Sequence, residues 1–425
     1  MKTVIDLLIH NTPQLVTCAA PNSPKRGNDM QDVGLIENGA VAVAGEKILA
    51  VGDSNDLLSR YTARQQIDAS GKAVCPGFVD PHTHVVFGGD RAHEFEMRIQ
   101  GASYVEIMAA GGGIVSTMRH TRDASVAELV ASATRRLDEM LALGSTTVEI
   151  KTGYGLDLKS ELKMLQVIEK LDQSHPCDIL PTFLGAHTVP PEYKDDPEGY
   201  VDLVINDMIP AAAAWYQDSH FAANEAPLFI DVFCEDHAFD VNQSRRILQA
   251  GIDAGMRAKI HTDQFNSFGG VATAVALNAI SADHLDFSSS AEIEILAESD
   301  TIATPLPAVN FNLGVDYYAD ARQMIDAGAI VALSTDINPG SAPCLSMPLV
   351  MAIACRFQKL LPAEALNAST INAAHAIGLG QRLGSIEIGK QADLLILKEA
   401  DYHHIAYFFG HNPVETIIKR GRVLS

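Results

Sequence analysis

Two histidines, His82 and His84, stand two residues apart at the far end of a short strand-like run that contains the apolar residues 78–79. In an extended chain, residues two apart project to the same side. The two imidazoles are therefore held together at the end of a strand, as a metal site built on a strand requires. The same pattern also occurs as two polar loop residues, so the remaining histidines and carboxylates decide between the two interpretations.

Other metal-ligating residues also follow strand-like runs. His261 ends one such run, and Asp336 follows another. Three imidazoles and one carboxylate form a ligand set that suits one catalytic Zn²⁺ or Fe²⁺ ion with a position left for water. We therefore predict that His82, His84, His261 and Asp336 bind one divalent metal ion. The run at residues 229–235 has no lysine that could carry a bridging carbamate, which favours one ion over two.

Strand-like runs and helical segments alternate through the middle of the chain. The eight strand-like runs are residues 77–81, 146–152, 179–186, 229–235, 257–261, 281–284, 301–304 and 330–335. The segments between them show helical periodicity, as along residues 126–143. This alternation predicts an α/β protein with a (β/α)8 TIM-type barrel. Chemistry in such barrels gathers at the C-terminal ends of the strands, where the candidate ligands fall.

The two ends of the chain differ from its middle. Residues 1–75 and 384–425 carry short apolar runs separated by turn residues, which predicts short β-strands. Neither end alone has enough strands to bury a face, so we expect the two to pair in one sheet or sandwich. The predicted domains are a composite β-sandwich of residues 1–75 plus 384–425, and a barrel of residues 76–383.

Composition limits the classes of protein to consider. Of the 425 residues, 47% are hydrophobic and 20% charged, which indicates a soluble globular protein with a large core. The formal net charge of −22 disfavours nucleic acid and anionic membranes as partners. The apolar runs are too short for a membrane span and the first residues do not resemble a secretory signal, so we expect a cytoplasmic protein. The six scattered cysteines favour neither a disulfide framework nor a thiolate zinc site.

Several motifs resemble the amidohydrolase superfamily and, within it, the imidazolonepropionase family. Residues 76–84, the later single histidines, Asp336 and residues 384–394 are similar to the superfamily. The motifs similar to the imidazolonepropionase family are residues 88–98, 149–156, 183–190 and 335–341. The resemblance implies hydrolytic ring opening of 4-imidazolone-5-propanoate to N-formimino-L-glutamate, a step of histidine breakdown. It also implies a homodimer.

The resemblance further implies which residues contact the substrate or product. They are Arg91, Tyr154, His187, Gln264, Asn338, Gly340 and Ser341. The planar guanidinium of Arg91 can bind the carboxylate of a small anionic heterocycle through two hydrogen bonds. Related deaminases carry glutamate at the position of Gln264, but an amide cannot ionise and would only read the ring's N–H and C=O pattern. We therefore expect Asp336 to transfer protons, with His284 orienting the water or stabilising the oxyanion.

Two other interpretations remain open at this stage. A deaminase or hydrolase of another small cyclic amide or amidine would use the same scaffold, and a deaminase would release ammonia. A non-catalytic binding protein on this scaffold would be expected to lose metal ligands, whereas all four candidates are present. The long segment of residues 88–125 could act as a lid. Its glycine triplet at residues 111–113 lacks the Lys-Ser/Thr of a phosphate loop.

Overall fold

A computed structural model of the chain describes residues 2–20, 23–102, 106 and 111–424. Within this part of the chain, the strands form two sheets. In chain order, the strands are β1 (Thr3–Val16), β2 (Leu35–Ala44), β3 (Lys47–Asp53), β4 (Tyr61–Asp68), β5 (Val74–Pro76), β6 (Phe78–Asp80), β7 (Ser145–Lys151), β8 (Asp178–Ala186), β9 (Phe229–Cys234), β10 (Arg257–Thr262), β11 (Ser281–His284), β12 (Ile302–Thr304), β13 (Leu394–Leu397), β14 (Val414–Lys419) and β15 (Arg422–Val423).

The helices lie mainly between the strands of the middle of the chain. They span Ser54–Arg60, Ala92–Ile99, Ile114–Asp123, Val126–Ala142, Leu158–Ser174, Pro197–Leu203, Ile209–Asp218, His220–Ala223, Val241–Asp253, Gly270–Ala276, Ser290–Ala297, Pro307–Leu313, Ala321–Ala327, Met347–Phe357, Pro362–Ala368, Ile371–Ala376 and His404–Tyr407. Across the described residues, none of these helices is long and apolar enough to cross a membrane.

The first sheet joins the two ends of the chain. Its order is β15-β14-β13-β5-β1-β2-β3, and β4 also pairs with β1. Strand β5 lies between β1, from the N-terminal part, and β13, from the C-terminal part. Apolar side chains are buried on both faces of this sheet, with Leu7 and Ile9 in one cluster and Ile5 and Leu8 in another. The expected pairing of the two chain ends is therefore present within a single eight-stranded sheet.

The second sheet contains seven parallel strands in the order β12-β11-β10-β9-β8-β7-β6. Every residue of β7 and β8 is buried, as expected for parallel strands covered on both faces. These seven strands match the first seven predicted runs, with bounds that differ by at most one residue at either end. The protein therefore has an α/β fold of the TIM-barrel type.

The eighth predicted run, residues 330–335, forms one isolated parallel bridge, between Ala303 and Val331. On its other side, side chains contact the residue that ends β6. The Thr335 hydroxyl donates a hydrogen bond of 2.6 Å to Asp80, and the Ser334 hydroxyl also donates to Asp80. The run thus lies between β12 and β6. Where it meets β6, side-chain hydrogen bonds take the place of a regular strand ladder.

Two predicted segments differ in detail from the structure. The segment between the third and fourth strand-like runs, expected to be helical, contains the helices Pro197–Leu203 and Ile209–Asp218, which are joined by a π-helical turn, Val204–Met208. The segment of residues 88–125, a predicted lid, lies partly outside the described residues. Its described parts include the helices Ala92–Ile99 and Ile114–Asp123.

Candidate active site

Three histidines from distant parts of the chain converge at the C-terminal edge of the parallel sheet. His82 and His84 follow β6, and His261 is the penultimate residue of β10. One ring nitrogen of each histidine lies within 4.8 Å of the others, and all three side chains are buried. Nε2 of His84 and Nε2 of His261 are 3.5 Å apart. The predicted histidine cluster is therefore present.

Asp336 lies against this cluster. Its Oδ1 atom is 3.4 Å from Nε2 of His82 and 3.4 Å from Nε2 of His84. Ligand atoms about 2.1 Å from a tetrahedral ion would be about 3.4 Å from one another. His82 Nε2 and Asp336 Oδ1 are buried without a hydrogen-bond partner, which is unfavourable unless a cation lies between them. These residues therefore fit one divalent metal ion.

Two buried aspartates orient the histidine rings. Nδ1 of His82 is 2.7 Å from Asp283 Oδ2, and Nδ1 of His261 is 3.1 Å from both carboxylate oxygens of Asp231. An Nδ1–H that donates to a carboxylate leaves Nε2 unprotonated and able to bind metal. Burial also lowers the pKa of His82 and His84 well below the usual histidine value, so both rings are neutral.

Sequence reasoning missed these two aspartates. Asp231 lies within β9 and Asp283 within β11, and neither is at all exposed to solvent. A charged residue inside an otherwise apolar parallel strand is the signal that could have identified them, because such a group is rarely buried without a partner.

His284 lies beside the histidine cluster. Its ring centroid is 5.4 Å from that of His261 and 5.8 Å from that of His82. Burial lowers the pKa of His284 well below its usual value, so the ring is neutral. His284 and Asp336 both have positive φ angles, 80° and 51°. Such conformations cost on the order of 1–3 kcal/mol each in residues other than glycine and cluster at functional sites.

Tyr154 and His187 form an aromatic wall next to His84. The rings of His187 and His84 are stacked, with centroids 5.0 Å apart and an interplanar angle of 13°. The Tyr154 ring is 5.3 Å from His187 and 5.7 Å from His84. His187 Nδ1 donates to the Gly153 carbonyl at 3.0 Å, and burial lowers the pKa of His187 to about 3. Its Nε2 is therefore left as a hydrogen-bond acceptor.

Arg91 lines a cavity of about 470 Å³ together with Asn338 and Gly340. Arg91 Nε donates to Glu94 Oε2 at 2.8 Å, which fixes the guanidinium. A side chain at position 340 would overlap the Arg91 guanidinium, so glycine is required for this approach. Arg98 also lines the cavity. The cavity is thus cationic on one side although the protein as a whole is acidic.

The Asn338 side chain organises the turn after Asp336. Asn338 Oδ1 accepts from the backbone N–H groups of Gly340 and Ser341, at 2.8 and 2.7 Å. Asn338 Nδ2 donates to Asp336 Oδ2 at 3.1 Å, leaving Oδ1 of Asp336 to face the histidines. This turn therefore positions Asp336 and also borders the cavity.

Gln264 lies two residues after β10 and is 8% exposed. The backbone on both sides of it is fixed by buried carboxylates. Asp263 accepts from Ser288 Oγ at 2.7 Å, and the N–H of Phe265 donates to Glu235 at 3.0 Å. Among the described residues, the Gln264 side chain has no hydrogen-bond partner, so the structure does not connect it to the metal ligands.

Comparison with known proteins agrees with this geometry. A profile of the amidohydrolase family matches residues 237–424. Imidazolonepropionase of Chloroflexus aggregans is 54% identical over 419 residues, covering 99% of this chain and 98% of that protein. Imidazolonepropionase of Herpetosiphon aurantiacus is 52% identical over 419 residues, covering 99% and 97%.

Solved structures with the same fold are more distant in sequence. A zinc-bound adenosine deaminase from Xanthomonas campestris has a TM-score of 0.68 at 21% identity, covering 100% of this chain and 93% of that chain. A zinc complex of atrazine chlorohydrolase from Arthrobacter aurescens has a TM-score of 0.73 at 16% identity, covering 98% and 95%. These similarities concern the fold alone.

The fold and the buried histidine cluster define a member of the amidohydrolase superfamily. At 54% identity over nearly the full length, the chain belongs to the imidazolonepropionase family.

Proposed function

We propose that this protein hydrolyses 4-imidazolone-5-propanoate to N-formimino-L-glutamate, a step in the breakdown of histidine. The observation that carries the proposal is the convergence of three buried imidazoles and Asp336 next to an arginine-lined cavity. Relatives named imidazolonepropionase, at 54% and 52% identity over nearly the whole chain, support the choice of substrate.

His82, His84, His261 and Asp336 would hold one divalent ion, Zn²⁺ or Fe²⁺, because their donor set suits either metal. A metal bound there would lower the pKa of water from about 15.7 towards about 7 and so supply a hydroxide equivalent at neutral pH. The aspartates that hold Nδ1 of His82 and His261 keep the Nε2 lone pairs of these rings directed at the site.

Asp336 is the proposed proton acceptor. Asn338 occupies its Oδ2, whereas its Oδ1 is buried among the histidines without a hydrogen-bond donor. This oxygen can take a proton from the attacking water and return it to the ring nitrogen that leaves. His284, a neutral ring beside His82 and His261, would orient the water or donate to the oxyanion.

Arg91 would bind the propionate carboxylate from the cavity wall. The Nε–H of Arg91 donates a hydrogen bond to Glu94. The two terminal guanidinium nitrogens face Gly340 and the cavity, and they would contact the carboxylate. The aromatic rings of Tyr154 and His187, which lie 5.3 Å apart, would contact the flat imidazolone ring. Asn338 and Gly340, which line the cavity beside Arg91, and the neighbouring Ser341 would contact the substrate or product near Asp336.

A deaminase of a related ring is the alternative. Gln264 weighs against it, because an amide cannot shuttle a proton to a ring nitrogen. We propose instead that Gln264 hydrogen-bonds the imidazolone ring, a role for which its side chain has no competing partner within the described residues. Ring opening would release no ammonia, whereas deamination would.

The finer architecture is also a proposal. Residues 330–335 would close the parallel sheet into a (β/α)8 barrel over residues 76–383, supported by the bridge at Val331 and the bonds to Asp80. Residues 1–75 and 384–425 would form the composite β-sandwich domain, supported by their shared sheet. Following the family resemblance, we propose a cytoplasmic homodimer.

The decisive experiment uses purified protein loaded with Zn²⁺ or Fe²⁺. Incubation with 4-imidazolone-5-propanoate should remove the absorbance of the ring and yield N-formimino-L-glutamate, identified by mass spectrometry, without free ammonia. Protein treated with a chelator should be inactive and should recover when metal is returned. Release of ammonia would favour the deaminase, and turnover by metal-free protein would contradict the mechanism.

A further inference from the structure

A buried lysine lies behind the metal site and connects its two halves. Lys151 ends β7 and is not exposed to solvent. Its Nζ is 2.8 Å from Glu149 Oε1 and 2.8 Å from Asp231 Oδ2. Neither carboxylate belongs to the proposed ligand set. Each, however, contacts a segment that carries ligands.

Glu149 holds the segment that carries the first two histidines. Its Oε2 accepts from the N–H of Thr83 at 3.1 Å, and the Thr83 hydroxyl donates to the Glu149 carbonyl at 2.6 Å. The backbone N–H of Lys151 donates to the Thr83 carbonyl at 2.9 Å. Because Thr83 lies between His82 and His84, these three bonds fix the backbone from which both imidazoles project.

Asp231 holds the third histidine. Both of its carboxylate oxygens are 3.1 Å from Nδ1 of His261, and Nε2 of the same ring faces Nε2 of His84 at 3.5 Å. Asp231 is itself on β9, the neighbour of β10 in the sheet. Among the residues that the structure describes, the ammonium of Lys151 is therefore the single group that contacts both carboxylates, one for each part of the histidine cluster.

We propose that Lys151 is a positioning residue of the metal site. Its ammonium neutralises Glu149 and Asp231 together and so holds the His82–His84 segment and His261 in register with each other. Without it, two unexposed carboxylates would lack their shared counter-ion and would shift or take up protons. The inference rests on the proposed function, because it concerns the affinity of the site for the metal that function requires.

The direct electrostatic effect of Lys151 has the opposite sign. A buried cation repels a metal ion, so deleting its charge would by itself tighten metal binding. Loss of positioning would weaken binding, by on the order of 10- to 100-fold for groups that orient ligands. The sign of the change therefore distinguishes a positioning role from a purely electrostatic one.

The test is the affinity of metal-free protein for Zn²⁺, measured by competition with a chromophoric chelator. Lys151→Met should weaken binding by on the order of 10- to 100-fold. Lys259→Met is the matched control, because Lys259 is also unexposed but, within the described part of the chain, donates only to the Ala376 carbonyl, at 3.2 Å. It removes one buried cation without touching either carboxylate, and its Zn²⁺ affinity should be unchanged or slightly higher.

Unchanged or tighter Zn²⁺ binding by Lys151→Met, with wild-type protein binding normally, overturns this inference and leaves the proposed function intact. Absence of Zn²⁺ binding by wild-type protein overturns both. If Lys151→Met does not fold, Lys151→Gln replaces it, since it also removes the ammonium charge but keeps an N–H donor for one of the two carboxylates. Weaker Zn²⁺ binding by Lys151→Gln supports the inference, and unchanged or tighter binding overturns it.

Discussion

Two clusters of buried charge lie at opposite ends of the parallel strands, and they differ in how completely their groups are paired. The metal cluster at the C-terminal ends contains His82 Nε2 and Asp336 Oδ1, which are buried without hydrogen-bond partners. The second, which we call the docking cluster, comprises Asp178, Gln391, Asp393, Lys419 and Arg420. Asp178 begins β8, and the other four belong to the C-terminal part of the chain.

Every carboxylate oxygen of the docking cluster has a partner. Lys419 lies 2.9 Å from Asp178 and 2.7 Å from Asp393, and Gln391 donates to both carboxylates at 2.6 and 2.8 Å. Arg420 donates to the remaining oxygens, through its side chain to Asp178 and its backbone N–H to Asp393. A cluster whose buried carboxylates are all paired can contribute to stability, whereas a buried carboxylate oxygen without a partner has a cost that a bound cation can offset.

The largest expected effect is on activity, in the metal cluster. Asp336→Asn should lower kcat by at least about 10³-fold, because the amide cannot accept the proton and is a poorer metal ligand. The free energy of unfolding of the metal-free protein should not fall, because the variant removes a carboxylate that faces histidine lone pairs. Asp393→Asn in the docking cluster is the control and should show the reverse pattern. Full activity of Asp336→Asn would refute the assignment.

The next effect is on stability, in the docking cluster. Lys419→Met should lower the free energy of unfolding by about 3–5 kcal/mol, because Asp178 and Asp393 would lose their shared cation. Denaturant titration of the metal-free protein measures this loss. Zn²⁺ affinity and kcat per folded molecule should stay at wild-type values, and an unchanged unfolding midpoint would show that the cluster does not stabilise the fold.

A smaller effect concerns substrate binding at the cavity. Arg91→Ala should raise KM by on the order of 10- to 100-fold and change kcat less, because it removes a charge-assisted contact to the propionate. Arg135→Ala makes the same change in net charge at an exposed position and should leave both constants unchanged. Steady-state kinetics of the two variants give the comparison. A loss confined to kcat would place Arg91 in the chemical step instead.

The smallest effect is the acid sensitivity of the docking cluster. Burial opposes ionisation of Asp178, but Lys419 and Arg420 outweigh it and lower the pKa from 3.8 to about 2. Because the folded-state pKa is the lower one, the stabilisation is complete above about pH 4 and is lost as the pH falls towards 2. The loss is about 2 kcal/mol. The free energy of unfolding in urea, measured on metal-free protein, should fall more steeply with decreasing pH in the wild type than in Asp178→Asn over this window. The same dependence on pH in both proteins would contradict the assignment.

The sequence predicted the metal cluster better than the buried aspartates that orient its histidines. His261 and Asp336 could be identified because the end of a strand is a local feature, and strand ends meet at one edge of a parallel sheet. The roles of Asp231 and Asp283 depend on which strands are neighbours, and no local pattern reports that. The helices Met347–Phe357 and Ile371–Ala376 were not predicted because they are buried on most sides and their sequences show no amphipathic stripe.

The eighth run is a second case in which local pattern and tertiary context differ. Residues 330–335 have the apolar character of a strand, but Ser334 and Thr335 bind Asp80 through their side chains. These contacts take the place of the ladder that the pattern predicts. The docking cluster was missed for a similar reason, since Asp178 and Lys419 are distant in the sequence and each alone is typical of a surface residue.

Strand β5 has a consequence for the order in which the protein becomes active during synthesis. It pairs with β13 near the end of the chain, and only Gly77 separates it from β6, after which His82 and His84 follow. A nascent polypeptide in which β13 has not yet been synthesised lacks the partner that holds this strand. We therefore expect catalytic competence to arise only after β13 has been made, so that fragments truncated before residue 394 cannot divert metal or substrate in the cell.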